Sequence, residues 1–342
     1  NTPLTYTLTA KAGENDVFTP EKAAGSIQVS VSYEKDDSAP VPSVYYVSPT
    51  SSEKVEAVYE GGVLTWTAKH FSTYVVTPGT AEAMWMTNTA PVEGTFADAI
   101  KAVASTGGVV TLLKDVDNSN NNNIYEEIGQ NVTIQGNGHA LKLIPFYDDS
   151  DGKVAAFVVF NGATLTLDGV KLTITGEANA TKGVGIDLLC GGGDEDDNTL
   201  KLINGSEVHL NNLSAGIRAA GADAADSNRS VIVENSTLTV ENVTYASGGY
   251  MDITLDKATV TVDKCGAFGV AADTLTLKNG AALTVSNATN EGVIADRALT
   301  MDGTSQVSVS NCAAGVDKNA VSVGSGSRNN QVTGETALKL DS

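Results

Sequence analysis

Glycine recurs at positions 269, 292 and 315, an interval of 23 residues each time, and its surroundings recur with it. Gly269-Val270-Ala271-Ala272-Asp273 leads to Leu275-Thr276-Leu277, Asn279-Gly280 and Leu283-Thr284-Val285. Gly292-Val293-Ile294-Ala295-Asp296 leads to Leu299-Thr300-Met301, Asp302-Gly303 and Val307-Ser308-Val309. Each period therefore holds three short apolar-polar-apolar runs divided by turn residues. A strand of that form has one face to bury, and a unit this small buries it only against its neighbours in a stack. The pattern predicts a right-handed parallel β-helix, three strands to a coil, with like side chains laddered about 4.8 Å apart. A propeller needs antiparallel four-stranded blades of about 40 residues, and a leucine-rich repeat needs a Leu-x-x-Leu-x-Leu run that this chain lacks.

Earlier copies read as longer coils. Gly185-Ile186, Gly216-Ile217 and Gly249-Tyr250 are placed in one register, with the extra length in polar inserts at 191–198 and 221–228. Val132-Thr133-Ile134, Leu165-Thr166-Leu167 and Leu172-Thr173-Ile174 carry the pattern back to about Gly107, and the regular part is expected from about Gly266 onward. Ahead of it lies one helical signal, over residues 95–106. Thr95 is placed as its cap, Asp98 favours its first turn, and Phe96, Ala99, Ile100, Val103 and Ala104 share a face before Gly107-Gly108 ends it. Such a helix suits the exposed end of a stack, where strand edges and apolar side chains need cover. The helix and the glycines that lead into Val109-Val110-Thr111-Leu112 resemble the start of pectin-lyase-like β-helices of bacterial surface proteins.

Residues 1–78 read differently. Leu4-Thr5-Tyr6-Thr7, Ser26-Ile27-Gln28-Val29-Ser30-Val31, Val44-Tyr45-Tyr46-Val47, Val55-Glu56-Ala57-Val58-Tyr59 and Val63-Leu64-Thr65-Trp66-Thr67 are short strands, with Glu60-Gly61-Gly62 a hairpin turn. They predict a small, Ig-like β-sandwich. The run from Tyr59 to Thr67 followed by His70-Phe71-Ser72-Thr73-Tyr74 resembles the closing hairpin of a β-module found in large surface proteins of gut Gram-positive bacteria. There the module is a spacer or interaction domain, not a catalyst. Residues 79–94 read as a linker opened by Pro78-Gly79, although residues 81–86 are apolar enough to pack. The expected architecture is all-β: a β-sandwich at 1–78, a linker, and a β-helix with its capping helix at 95–342.

The chain of 342 residues carries a net charge of −20, a field that repels phosphate backbones and argues against nucleic acid as a partner. Its longest apolar run, residues 154–160, is far too short to cross a bilayer. The opening at Asn1 shows neither a charged n-region nor an apolar core, so the chain is read as a piece of a longer, exported protein. Cys190, Cys265 and Cys312 form no disulfide framework and no metal-ligand spacing. Cys265 and Cys312 fall two coils apart, about 10 Å, beyond disulfide reach.

Three groups of residues could carry chemistry. Asp273, Asp296 and Asn319 each lie four residues after a repeat glycine, so stacking would bring the two carboxylates within about 5 Å, enough to hold a cation or act on a sugar. The bland alternative is a turn residue that recurs because the coil recurs. Asp194-Glu195-Asp196-Asp197 could recruit Ca²⁺ but lacks the alternating spacing that wraps one ion, and reads as a solvated insert, like the tract from Asn118 to Asn123. Arg218, with His209 and Arg229 nearby in sequence, is expected to face Asp187 of the preceding coil in a surface pair of little energetic weight. His70 reads as a packed structural residue. No catalytic set and no resident cofactor emerge. The expectation is an adhesin-like, non-catalytic bacterial protein of the cell surface or extracellular space that binds glycans or a host or cell-surface protein. The alternative is a polysaccharide lyase or glycoside hydrolase on the same scaffold.

Overall fold

The structure is a computed structural model. It describes residues 4–7, 11–12, 16–17, 27–35, 41–48, 52–69, 73–78, 80–86, 91–119, 126–146, 154–177, 182–189, 197–219, 229–312, 321–323, 331–333 and 338–341. The fold is all-β, dominated by one sheet of 24 strands that is mostly parallel.

Its pairing rule is that each strand bonds to the equivalent strand one repeat later. Ile134, Leu167, Leu202, Val233, Leu255, Leu277 and Met301 are successive register partners. Leu141, Leu172, Val208, Leu238, Val260, Leu283 and Val307 form a second such series. All fourteen side chains are buried in a single apolar cluster. The repeat shortens along the chain. Val132 pairs with Leu165 and Leu165 with Leu200, whereas Val231 pairs with Ile253 and Ile253 with Leu275. The compact spacing thus starts near Val231, earlier than the expected Gly266.

Two features explain that shift. The glycine register is one: Ile186, Ile217, Ser247, Val270 and Val293 are partners, so Ala246, not Gly249, stands at the position of Gly216 and Gly269. This position is tight. A Cβ on Gly269 would sit 2.4 Å from the Gly292 carbonyl oxygen, and one on Gly216 2.6 Å from that of Ala246. The other feature is fusion of strands. Glu207–Ala219 and Thr237–Gly249 each run through a corner that was expected to break them. The corner is made by Asn212 and Asn242 at φ 55° and 53°, and Lys264, Asn287 and Asn311 repeat it in later coils. Asn tolerates this left-handed conformation better than most side chains, because its amide bonds locally.

The stack begins at residues 83–112. The stretch expected as a linker contains two strands, Ala83–Met86 and Pro91–Gly94, paired as an antiparallel hairpin. Ala83–Met86 also pairs antiparallel with Gly108–Leu112, the first strand of the parallel series, and so takes up its free edge. The helix Phe96–Ala104 is capped by Thr95, whose side chain accepts from the Asp98 N–H, and its buried Phe96, Ala99, Ile100 and Val103 join the apolar cluster of the coils. Edge and interior are met by different elements, where sequence reading assigned both to the helix.

The first module holds a four-stranded antiparallel sheet, Leu4–Thr7, Thr73–Thr77, Ser43–Val47 and Ser52–Val55 in spatial order, and a three-stranded one, Ile27–Ser32, Val63–Ala68 and Ala57–Glu60. Val44, Leu64, Trp66, Tyr74 and Val76 are buried between them. The opposite face of Ser43–Val47 contributes Tyr45 and Val47 to a separate core shared with Val75, Met84 and Leu113, which joins the module to the hairpin. His70 lies outside the described residues.

Beside that shared core, Tyr45 Oη, Thr77 Oγ1 and Glu93 Oε1 are buried with no hydrogen-bond partner among the described residues. Burial pushes Glu93 from 4.5 up to about 7, the nearby Thr77 hydroxyl pulling less strongly the other way. Between those two values the folded chain keeps a proton that the unfolded chain has lost, so stability falls as pH rises from about 4.5 to about 7 and levels off above. Asp302, held low chiefly by the Asn279 N–H, contributes the opposite slope at more acid pH. Melting temperatures of Glu93→Gln and the parent, measured from pH 4 to 9, should therefore diverge in favour of Gln across the Glu93 interval and run parallel beyond it. In a separate test of packing, Gly269→Ala should cost roughly 1–3 kcal/mol in denaturant unfolding, because a backbone carbonyl blocks its Cβ.

Candidate functional site

The strands Ala155–Val159 and Val184–Leu188 and the ends of Glu207–Ala219 and Thr237–Gly249 stack as one column. The column is apolar on both faces. Ala155, Val158, Val184 and Ala215 form a buried cluster apart from the interior one, with Val154, Leu189 and Tyr245 partly buried against it. Asp187 and Arg218 belong to this column. They are register partners, and Arg218 donates to both carboxylate oxygens, Nε to Oδ1 at 3.2 Å and Nη2 to Oδ2 at 2.5 Å. The pairing matches the sequence expectation, but its setting does not: the Asp187 side chain is only 4% exposed and that of Arg218 29%. This is a largely desolvated, bidentate pair, stronger and more demanding than a surface one.

The next coil puts Gly248 opposite Arg218. The Tyr245 ring fills the space there, so that a Cβ on Gly248 would lie 2.6 Å from its Cδ2 and Cε2 atoms. Phe268 stacks on Tyr245 with ring centres 5.4 Å apart and planes at 23°. Tyr250 follows, half exposed. The Asp187–Arg218 pair, with both fork donors held by the carboxylate, shares its column with a two-ring aromatic stack, and such rings suit the flat apolar face of a ligand. Sequence reading missed the aromatic half. The signal was present, since aromatics are only 6% of the chain and Tyr245 and Phe268 fall about one repeat apart, but the misplaced Gly249 register hid it.

A bulge interrupts the acidic ladder. Ala272 pairs with Ala295 and Thr274 with Ala298, so a bulge between them sets Asp273 against two residues, Asp296 and Arg297. Arg297 Nη2 binds Asp273 Oδ2, and the Asp273 side chain is 12% exposed. The extra residue in the later coil thus brings a cation to the carboxylate. Asn319, the third member, lies outside the described residues, as do Asp194, Glu195 and Asp196 of the acidic run; Asp197 is exposed. Cys190 and positions 120–123 of the Asn-rich tract are likewise outside them.

The basic residues near Arg218 in sequence are far from it in function. His209 belongs to another column, where its Nε2 lies 3.0 Å from Glu241 Oε1 in a shallow groove with Lys171, Glu207 and Thr239. Arg229 is fully buried just before Ser230–Glu234, and none of its guanidinium nitrogens has a hydrogen-bond partner among the described residues. Cys265 and Cys312 are free thiols, and burial pushes Cys265 up to about 12, far from a reactive thiolate. Among the described residues, no group of three or more His, Cys, Asp or Glu side chains is placed to hold a metal ion, and no helix is long and apolar enough to cross a membrane. Neither a protein-family model, nor a curated protein, nor a solved structure matches the chain.

Removing Arg218 alone leaves a buried, unpaired carboxylate. Arg218→Ala should therefore lower unfolding free energy by about 3–5 kcal/mol, and the double variant Asp187→Leu with Arg218→Met should recover most of that loss in the same denaturant titration.

Proposed function

We propose that the chain is a non-catalytic, adhesin-like protein of the bacterial cell surface or extracellular space, displaying a binding face for glycans or for a host or partner protein. In this reading the large sheet closes into a right-handed parallel β-helix of the pectin-lyase-like kind over residues 95–342. Residues 1–78 form a β-sandwich spacer ahead of it. The coil-by-coil parallel register supports the scaffold, since a chain that pairs each strand with its equivalent in the next repeat advances by winding. The lengthened repeats support the placement of the binding face. Strands Val184–Leu188 and Glu207–Ala219 of this column precede, in sequence, the polar inserts at 191–198 and 221–228.

The observation that carries the reading is the Asp187–Arg218 fork beside the Tyr245–Phe268 stack on one column. Glycoside or lyase chemistry would want a carboxylate or a basic group free to exchange protons. Asp187 and Asp273 instead have their charge taken up by arginines. That arrangement fixes a surface.

The test is binding and turnover on the same glycans. The full chain is screened against neutral and acidic polysaccharides and mucin-type glycans, with bound fraction, reducing-end release and unsaturated-uronate absorbance all recorded. Binding without turnover is expected. Tyr245→Leu, which removes one ring of the stack, should weaken binding at least about tenfold, the scale of 1.4 kcal/mol. Release of products from any of these substrates would replace the reading with the enzymatic one.

A further inference from the structure

The seam between the first module and the coils holds a polar cluster inside an apolar contact. Glu93 comes from Pro91–Gly94, opposite Met84 in the hairpin that opens the stack. Tyr45 and Thr77 come from Ser43–Val47 and Thr73–Thr77, adjacent strands of the module's four-stranded sheet. Tyr45 Oη, Thr77 Oγ1 and Glu93 Oε1 are all buried, and none has a hydrogen-bond partner among the described residues. A buried acceptor without a donor loses its hydration and recovers nothing, and the loss is far larger when it carries charge. Taking up a proton removes the charge and gives the carboxyl an O–H, for which the two hydroxyls on the module side are acceptors. The closed seam thus fits the neutral carboxyl and penalises the ionised one.

No neighbouring charge offsets that penalty. Tyr45 and Tyr33 face Glu93 from the module. Burial first, and the Glu93 charge second, push both phenols up, Tyr45 to about 12, so neither changes charge near neutrality. On the coil side, Glu82 accepts from the Phe96 N–H, Asp98 accepts from Thr95 Oγ1, and Lys114 donates to the Thr80 carbonyl. The Thr77 hydroxyl and, more weakly, the α-amino group pull Glu93 down, but burial outweighs both. Against the charge stands a core of five side chains, Tyr45, Val47, Val75, Met84 and Leu113. Parting that core exposes much less apolar surface than undoing the ladders of the coils, so an ionised Glu93 regains water most readily by local opening.

We infer that this seam is a pH-sensitive joint, in which Glu93 docks the first module firmly on the coils in mildly acid surroundings and loosens it as the medium becomes neutral. The direction follows from linkage. In the closed seam Glu93 titrates at about 7, and opening returns it toward 4.5. Opening therefore releases a proton between those values, becomes up to roughly tenfold easier per pH unit across them, and changes no further above them.

Amide hydrogen exchange of the full chain, read by mass spectrometry from pH 5 to 9 and corrected for the intrinsic pH dependence of exchange, tests this. In the parent, protection of Ser43–Val47 and Ala83–Met86 should fall by roughly tenfold or more between pH 5 and 7 and level off above, while Thr164–Asp168 within the coils keeps its protection. Glu93→Gln, which cannot ionise, should abolish the fall at the seam. Glu93→Met, an apolar side chain of similar length, gives the same reading if the Gln variant does not fold. His70, His139 and His209 also titrate near neutrality and are untouched in both variants. A fall that persists in either variant, no fall in the parent, or a loss shared equally by Thr164–Asp168 would overturn the inference.

Discussion

In-register stacking of identical strand positions is the constraint from which the rest of this structure follows. Once Ile134, Leu167, Leu202, Val233, Leu255, Leu277 and Met301 are partners, each repeat's buried side chains are fixed by the repeat it pairs with. The side-chain period of a strand is 2, so a slip of one residue would turn a whole coil inside out. The apolar ladder and the left-handed corners enforce the same register independently. Asn204, Asn235, Lys257 and Asn279 follow the ends of successive paired strands at φ between 45° and 59°. A slip of one residue in one direction would put Ile203, Glu234, Asp256 and Lys278 into that conformation, where Ile203, being β-branched, is the most strained.

That constraint also decides what could be read without coordinates. The interior ladders were legible because every member is apolar and its neighbours are polar, a pattern with one interpretation. The helix Phe96–Ala104 was legible from its cap and its face. Features that break the repeat were not. Ala246 in place of the repeat glycine shifted the reading of one coil, and with it the neighbours Tyr245 and Gly248. The bulge at Asp273 set an arginine beside the expected pair of acids, because one extra residue in the later repeat has no signature beyond its own length. The hairpin of Ala83–Met86 and Pro91–Gly94 begins after a Pro-Gly breaker and its second strand opens on Pro91, so its strands read as linker. Its pairing with Gly108–Leu112 is a long-range fact that no local pattern encodes.

Glu93 illustrates the same limit at one side chain. In sequence it is an acid in a polar stretch before the helix. In the structure the hairpin carries it against Thr77 and Tyr45 of the first module, and burial changes its titration. Joining two units through a core as small as Tyr45, Val47, Val75, Met84 and Leu113 leaves little apolar area to absorb a buried charge. The protonation of one carboxyl therefore matters at this seam more than it would inside the coils.

Stacking carries an electrostatic penalty as well, acute for a chain of net charge −20. A parallel ladder sets equivalent side chains about 4.8 Å apart, so a conserved acid position would pile carboxylate on carboxylate. The chain breaks up such piles coil by coil. Asp117 faces Lys142, Lys171 faces Glu207, Asp187 faces Arg218, and Asp256 faces Lys278. In one pair of acids that falls in register, each member is drawn to a different partner. Glu241 and Asp263 are neighbours, but Glu241 meets His209 at 3.0 Å, while Asp263 accepts from Ser286 and Asn287 at 2.6 Å each. Those hydrogen bonds hold the Asp263 carboxyl below its ordinary range, Ser286 contributing most. Most of these pairs are exposed and contribute little individually. Asp187–Arg218 and Asp273–Arg297 differ, because their carboxylates are buried. Relieving a stacking conflict does not require burying the relief, and it is this surplus, next to the Tyr245–Phe268 stack, that separates the Asp187–Arg218 column from ordinary scaffold.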